Sequence, residues 1–285
     1  MAEDNVKRLT YFQKKTTKCP VCESEFFKEE MHSGRGRLIA GELTDELHRL
    51  YEPSQKFGEV YPLVYSMVVC PHCLYSAFPK DFLEIEKDTA KQIEHDNDRR
   101  IRTVHKIFPE LDFTSPRGLE EGTASYYLGM LCYEFFPKEI FAPSFKQGLC
   151  TLRGGWLAKS LHERLPGENY DYLAKVLYRK AAFLYNLAVE REQNGEEPLP
   201  ADFNYGPDTD KNYGYDGVLF LAGLLQFRYG QQENRANRKE KLEAAKTNLA
   251  KIFGMGKASK DKPAAILDKS KDIYSEIKKE LANEE

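Results

Sequence analysis

The chain has no long hydrophobic run, since its longest apolar stretch is VLFLAGLL, from Val218 to Leu225. A helix needs about 20 apolar residues to cross a bilayer, so this stretch is too short. The opening residues, MAEDNVKRLTYF, also lack the apolar segment of a secretory signal. We therefore expect a cytoplasmic protein that does not enter the membrane.

The chain also lacks an excess of charge of either sign and the common catalytic motifs. Its 42 basic and 45 acidic residues give a net charge of -3, which provides no general attraction to nucleic acid or anionic lipid. No Walker loop, dinucleotide fingerprint or HExxH motif is present. We expect a protein that is not an enzyme.

Cysteine is scarce, with six in 285 residues, but four of them form two CPxC pairs. The pairs are Cys19 with Cys22 and Cys70 with Cys73. In a reducing cytoplasm, closely spaced thiols are metal ligands or redox catalysts rather than structural disulfides. Two such pairs can supply four thiolates to one tetrahedral zinc ion. We predict one structural zinc; the redox alternative would need only a single pair that opens a helix.

The segments around each pair indicate a zinc ribbon, in which a strand leads into a cysteine knuckle and another strand leaves it. RLTYFQKKT precedes the first pair and YPLVYSMVV precedes the second. The 47 residues between Cys22 and Cys70 exceed the usual ~15–20, so a large insertion separates the two knuckles. Inside it, Thr44 is positioned to cap a short helix over DELHRLY, which would end at Pro53.

Beyond Phe78 the pattern becomes helical. Asp81 is a predicted N-cap, with Glu84 in the capping-box position, for one or two charged helices. Apolar residues at spacings of three and four then predict six further helices. These cover ASYYLGMLCYEFF, FKQGLCTLRGGWLAKSLHERL, YDYLAKVLYRKAAFLYNLAVERE, YDGVLFLAGLLQFRYG, RKEKLEAAKTNLAKIFG and AAILDKSKDIYSEIKKEL.

The expected fold is mainly α. A small α+β zinc ribbon would occupy residues 1–80, and an antiparallel, tetratricopeptide-like array would occupy residues 81–285. The Leu128-Gly129 and Ala222-Gly223 steps resemble the first helix of a tetratricopeptide unit, although the 34-residue period is not kept. A plain helical bundle is the alternative.

The two knuckles and their flanks resemble a bacterial family. KCPVCESEF, a long insertion, and YSMVVCPHCLYSAF running into helices are similar to the proteins grouped as domain of unknown function 2225. The resemblance covers roughly residues 17–253 and implies that the four knuckle cysteines are metal ligands. That family usually has glycine directly after the second knuckle, where this chain has Leu74. The resemblance implies no particular activity.

Two functions fit these features. The first is a non-enzymatic adaptor, whose closed zinc site stabilises the fold and whose helices bind a protein or peptide in a groove. The second is a nucleic-acid-associated factor, for which the basic residues of GRGR, at 34–37, and of the stretch 235–260 would supply contacts. The aromatic residues that would line the groove or fill the core are Tyr126, Tyr127, Trp156, Tyr178, Tyr185 and Tyr215.

Overall fold

The computed structural model describes residues 9–32, 34, 36–200, 203–232, 234–253 and 264–283. The described chain is mainly helical, with short two-stranded sheets confined to its N-terminal part, which confirms the expected fold class at this level. Arg35 of the GRGR segment and residues 254–260 of the basic stretch lie outside the described residues.

Within the described ranges, the strands form three antiparallel hairpins. In the first, β1 (Thr10–Lys18) pairs with β2 (Glu25–Met31) across the first knuckle. In the insertion, β3 (Ile39–Leu43) pairs with β4 (Arg49–Glu52). In the third, β5 (Val68–Val69) pairs with β6 (Ser76–Ala77) across the second knuckle. The strand, knuckle, strand order predicted for both cysteine pairs is therefore present.

The helix predicted over DELHRLY is wrong, because residues 45–48 form the turn between β3 and β4 and residues 49–51 belong to β4. Thr44 and His48 exchange backbone and side-chain hydrogen bonds across the turn: the Thr44 N–H donates to the His48 carbonyl, at 2.9 Å, and Thr44 Oγ1 accepts from the His48 N–H, at 3.2 Å. Leu47, with φ of 60°, lies in the left-handed region that closes such a turn. Thr44 therefore caps a turn and not a helix.

The helices begin with two short ones, α1 (Lys87–His95) and α2 (Asn97–His105). Then come α3 (Leu119–Cys132) and a single turn, α4 (Lys138–Phe141). Long helices follow, each packed on the next in sequence. They are α5 (Pro143–Arg164), α6 (Tyr170–Gln193), α7 (Gly214–Tyr229), α8 (Arg235–Phe253) and α9 (Ala264–Asn283). The six helices predicted after the charged segment are confirmed as α3 and α5 to α9.

Asp81 is not a helix N-cap, since the first helix begins six residues later, at Lys87. Its carboxylate is buried and accepts hydrogen bonds from Lys146 Nζ and from Tyr133 OH, both at 2.6 Å. A buried ammonium and a buried carboxylate each require a partner of this kind. Asp81 therefore joins the chain after the second knuckle to α5.

The buried side chains form one continuous cluster, from Cys19 in the first knuckle to Leu281 in α9. Helix α3 lies directly on the segment that leads into the second knuckle. A Cβ added at Gly122 would lie 2.7 Å from Val64 Cγ2 and 3.0 Å from Val64 Cα, so the close approach depends on glycine. No helix in the described ranges has both the length and the apolar character needed to cross a membrane.

Candidate metal centre

The two knuckles have the same backbone geometry. In the first, the Cys19 N–H donates to the Ser24 carbonyl at 2.9 Å and the Glu23 N–H donates to the Cys19 carbonyl at 3.0 Å. In the second, the Cys70 N–H donates to the Tyr75 carbonyl and the Leu74 N–H to the Cys70 carbonyl, both at 2.9 Å. Each turn thereby directs both of its sulfurs to one side.

The residue after the second cysteine of each knuckle has a left-handed backbone. Glu23 has φ of 60° and Leu74 has φ of 55°. This conformation costs a non-glycine residue about 1–2 kcal/mol. Leu74 is buried, so contacts of its side chain with the core offset part of that cost. This left-handed conformation also explains why glycine suits the position directly after a knuckle, because glycine adopts it without steric cost.

The four sulfurs converge on one point. The Sγ atoms of Cys19, Cys22, Cys70 and Cys73 all lie within 4.8 Å of one another. Cys19 Sγ is 3.7 Å from Cys73 Sγ, and Cys22 Sγ is 3.6 Å from Cys70 Sγ. A tetrahedron with metal–sulfur bonds of ~2.3 Å has edges of about 3.8 Å, which matches these separations. The cluster can therefore hold a tetrahedral metal ion.

Without a cation, these thiols cannot all ionise. Hydrogen bonds to Cys19 and Cys70, together with burial, raise the pKa of Cys73 far above its ordinary value. Hydrogen bonds from Cys19 and Cys73 lower the pKa of Cys70. One thiolate is stabilised at the expense of its neighbours, because like charges this close repel. Four thiolates together require a divalent ion, so the donor set fits a metal.

A buried cation lies beside the second knuckle. The fully buried Arg100 of α2 donates to the carbonyls of Cys73 and Ile93, both at 2.8 Å, and to Asn97 Oδ1 at 2.9 Å. A divalent ion with four thiolates carries a net charge of -2, and the Arg100 guanidinium, which also lies 3.8 Å from the Asp96 carboxylate, offsets part of it. Arg100 belongs to a run of charged residues, so nothing in the sequence distinguishes it as the residue beside the metal centre.

Helix α3 fixes the second knuckle to the helical part. Ser76, in β6, donates its hydroxyl to the Ser125 carbonyl at 2.8 Å and its N–H to Cys132 Sγ at 3.5 Å. Both partners belong to α3 and are buried. Cys132 is thus a core residue close to the centre but not one of the four converging sulfurs.

Comparison with known proteins decides the family. A family model described as "Uncharacterized protein conserved in bacteria (DUF2225)" matches residues 12–277. The chain belongs to this family. A relative from Borreliella burgdorferi (strain ATCC 35210 / DSM 4680 / CIP 102532 / B31), itself described as "Uncharacterized protein", is 45% identical over 279 residues, covering 98% of this chain and 99% of the relative. No solved structure is significantly similar to this chain.

The insertion that separates the knuckles in this DUF2225 member docks on the helices through a buried carboxylate. Glu46, in the turn between β3 and β4, accepts three hydrogen bonds. The donors are Trp156 Nε1 of α5 at 2.6 Å, Tyr178 OH of α6 at 3.1 Å and Tyr229 OH of α7 at 2.8 Å. One side chain of the insertion therefore ties three consecutive helices.

A second contact holds the same turn. His48 Nδ1 lies 2.6 Å from Asp208 Oδ2, and the His48 ring stacks on Trp156 with centroids 4.2 Å apart. Burial opposes ionisation of Asp208, but the hydrogen bond and charge of His48 outweigh it and hold the Asp208 pKa below its ordinary value. The Arg49 N–H also donates to Asp208, at 2.8 Å. The loop at 208–214 thus uses its first carboxylate to hold the insertion.

The six aromatic residues that were predicted to line the groove or fill the core are all buried or partly buried, and four of them form hydrogen bonds within the protein. Trp156 and Tyr178 hold Glu46, and Tyr126 OH donates to the Leu63 carbonyl at 2.9 Å. Tyr185 is fully buried, whereas Tyr127 and Tyr215 are partly buried. Tyr215 OH donates to Glu192 at 2.7 Å. Partner binding through these residues stays a prediction.

The residues that sequence reasoning missed are Glu46, His48 and Asp208. Glu46 and Trp156 are 110 positions apart, and His48 and Asp208 are 160 apart. No local spacing links such pairs, so only the fold brings them together. The four cysteines, in contrast, are the ligand set that the sequence predicted, and the structure brings all four together.

Proposed function

We propose that this protein is a non-enzymatic, zinc-containing adaptor. One structural zinc bound by Cys19, Cys22, Cys70 and Cys73 would hold the two knuckles together, and a tetratricopeptide-like helical array would bind a protein or peptide partner. The observation that carries the proposal is the convergence of four sulfurs at tetrahedral spacing. Four thiolates fill the coordination of zinc and leave no position for a substrate or an activated water.

The surroundings of the sulfurs support a structural role for the metal. Cys19, Cys70 and Cys73 are buried, and the knuckles belong to the same core cluster as the helices. A metal bound in such a place contributes its binding free energy to folding. Iron also accepts four thiolates, so metal analysis must identify the ion.

The order of the helices supports the array. From α5 to α9 each helix packs on the next, and the connections between α5 and α6 and between α7 and α8 are short, which requires antiparallel neighbours. Small residues lie at the closest approaches: a Cβ at Gly223 of α7 would lie 2.7 Å from Leu249 Cγ of α8. Helical arrays of this kind present extended surfaces to protein partners.

The adaptor function is tested by crosslinking in the native cell with a lysine-reactive reagent, followed by purification of the tagged protein and identification of crosslinked peptides. We expect peptides of one or a few proteins joined to lysines of the helices α6 to α9. Crosslinks to no protein above the level of an unrelated tagged control would overturn the adaptor proposal.

The alternative, a nucleic-acid-associated zinc-ribbon factor, has weaker support. Arg238, in the basic helix α8, is buried and pairs with Glu280 at 2.6 Å, so it is occupied within the fold. Binding to RNA or DNA that weakens steeply with salt would favour this alternative. No binding at low salt would exclude it.

A further inference from the structure

The outer face of α6 exposes large apolar side chains. Tyr172 is 67% exposed, Val176 42% and Phe183 63%. At 100° per residue, spacings of four and eleven positions place all three on one stripe, and eleven residues rise about 16 Å. The opposite face of α6 packs on α5 and α7. This outer stripe is apolar surface that no described residue covers.

The cations beside this stripe are not neutralised within the described chain. Lys175, Arg179 and Lys180 are exposed, and none of them forms an ion pair with a described residue. Asp171 and Glu190, both exposed, lie toward the two ends of this helix, and between them it has no aspartate or glutamate. The face therefore combines exposed apolar groups with unbalanced positive charge, although the whole chain has a net charge of -3.

Phe183 separates two cavities. On one side, a cavity of about 330 Å³ lies toward α7 and α8, and its wall is mostly polar, with Arg179, Lys241, three glutamines and Asn237. On the other, a cavity of about 360 Å³ lies toward α3 and α5 and is lined by Lys180, Leu187 and Glu134 among others, and Arg99 pairs with the Glu134 carboxylate at 3.2 Å. Both have a cation at the wall, but only the second, which Phe136, Leu184 and Leu187 also line, suits an apolar side chain. A flat lipid surface would fill neither.

We propose that the outer face of α6 binds an acidic amphipathic helix of a partner protein. An apolar side chain of that helix would enter the cavity toward α3 and α5 beside Phe183, and its carboxylates would pair with Lys175, Arg179 and Lys180. A stripe of about 16 Å corresponds to three turns of the partner helix. This inference rests on the proposed adaptor function and names the chemistry of the partner.

The test uses two fluorescein-labelled amphipathic peptides of about 15 residues, long enough for the three turns. They share the same leucine positions and have either glutamate or lysine at every polar position. Fluorescence anisotropy with the full chain should show binding of the glutamate peptide at least about tenfold tighter than that of the lysine peptide, and the binding should weaken with salt.

The matched variants are Phe183→Ala and Leu83→Ala. Both side chains are large and exposed, at 63% and 55%, so neither change should disturb the core. Phe183→Ala should weaken binding of the glutamate peptide about tenfold, as expected for an interface anchor, and Leu83→Ala should leave it unchanged.

Equal binding of the two peptides, or binding of neither, would overturn the inference. So would binding to phosphatidylglycerol vesicles that Phe183→Ala abolishes, or a dimer in light scattering that the same variant dissociates. If the peptides fail while crosslinked partners are recovered elsewhere on α7 to α9, the adaptor function stands and only this face is excluded. If crosslinking recovers no protein, the adaptor function fails as well.

Discussion

Replacing Glu46 with alanine removes the acceptor for three hydrogen-bond donors on three helices. Trp156 and Tyr178 are only 4% and 7% exposed, so water cannot readily replace the carboxylate there. Tyr229 is only partly buried, so loss of its acceptor should cost less. Each buried donor left without a partner costs about 1–3 kcal/mol, so the variant should lose about 2–6 kcal/mol of its free energy of unfolding.

The assay uses a probe that the chain already contains. Trp156 is the single tryptophan, and it contacts both Glu46 and His48 of the insertion. Its emission should shift to the red when the insertion leaves the helices, and urea titration followed by this emission gives the free energy of unfolding. The Glu46→Ala variant should have a red-shifted native spectrum and a lower urea midpoint.

The control is Asp45→Ala, which changes the adjacent residue. The Asp45 side chain is 55% exposed and pairs with Arg228 and Lys269 at the surface. Each such ion pair contributes about 0–1 kcal/mol, so the loss of both should cost at most ~2 kcal/mol, no more than the lower end of the range for Glu46→Ala. If Glu46→Ala has the same midpoint and emission as Asp45→Ala, the carboxylate does not anchor the insertion and the reasoning is refuted.

Two further predictions concern the cysteine knuckles and the close helix packing at glycine residues. Cys70→Ser should lose the metal and unfold the N-terminal hairpins while most of the helical circular dichroism remains; a fully folded, metal-loaded variant would contradict this. Gly122→Ala should destabilise by about 1–2 kcal/mol, because the new Cβ would lie 3.0 Å from Val64 Cα. Gly155→Ala should instead stabilise by up to ~1 kcal/mol, since its Cβ would meet Tyr178 at an ordinary 3.6 Å. A Gly122→Ala variant as stable as Gly155→Ala in urea titration would contradict the close packing of α3 on Val64.

Local patterns predicted the knuckles and the long helices correctly for physical reasons. A two-residue gap between cysteines restricts the turn enough to direct both sulfurs to one point, so Cys19 with Cys22 and Cys70 with Cys73 could be read directly. Helix periodicity over 14 to 24 residues is equally local. Neither feature depends on a distant part of the chain.

The errors fall where a distant partner overrides a local preference. Thr44 and Asp81 both have the side chains of helix N-caps, and both were predicted as such. Asp81 instead accepts hydrogen bonds from Lys146 and Tyr133. The residues after Thr44 form a turn, which places Glu46 within hydrogen-bonding distance of Trp156. Contacts between residues 50 or more positions apart determine the conformation of these two segments, and local sequence spacing cannot predict such contacts.

The central claim is that a single zinc ion joins the two knuckles. Elemental analysis of the purified full-length protein by mass spectrometry tests it most directly. We predict about one zinc per chain and no iron. Substoichiometric zinc, together with a disulfide that forms readily between the knuckles, would contradict the account.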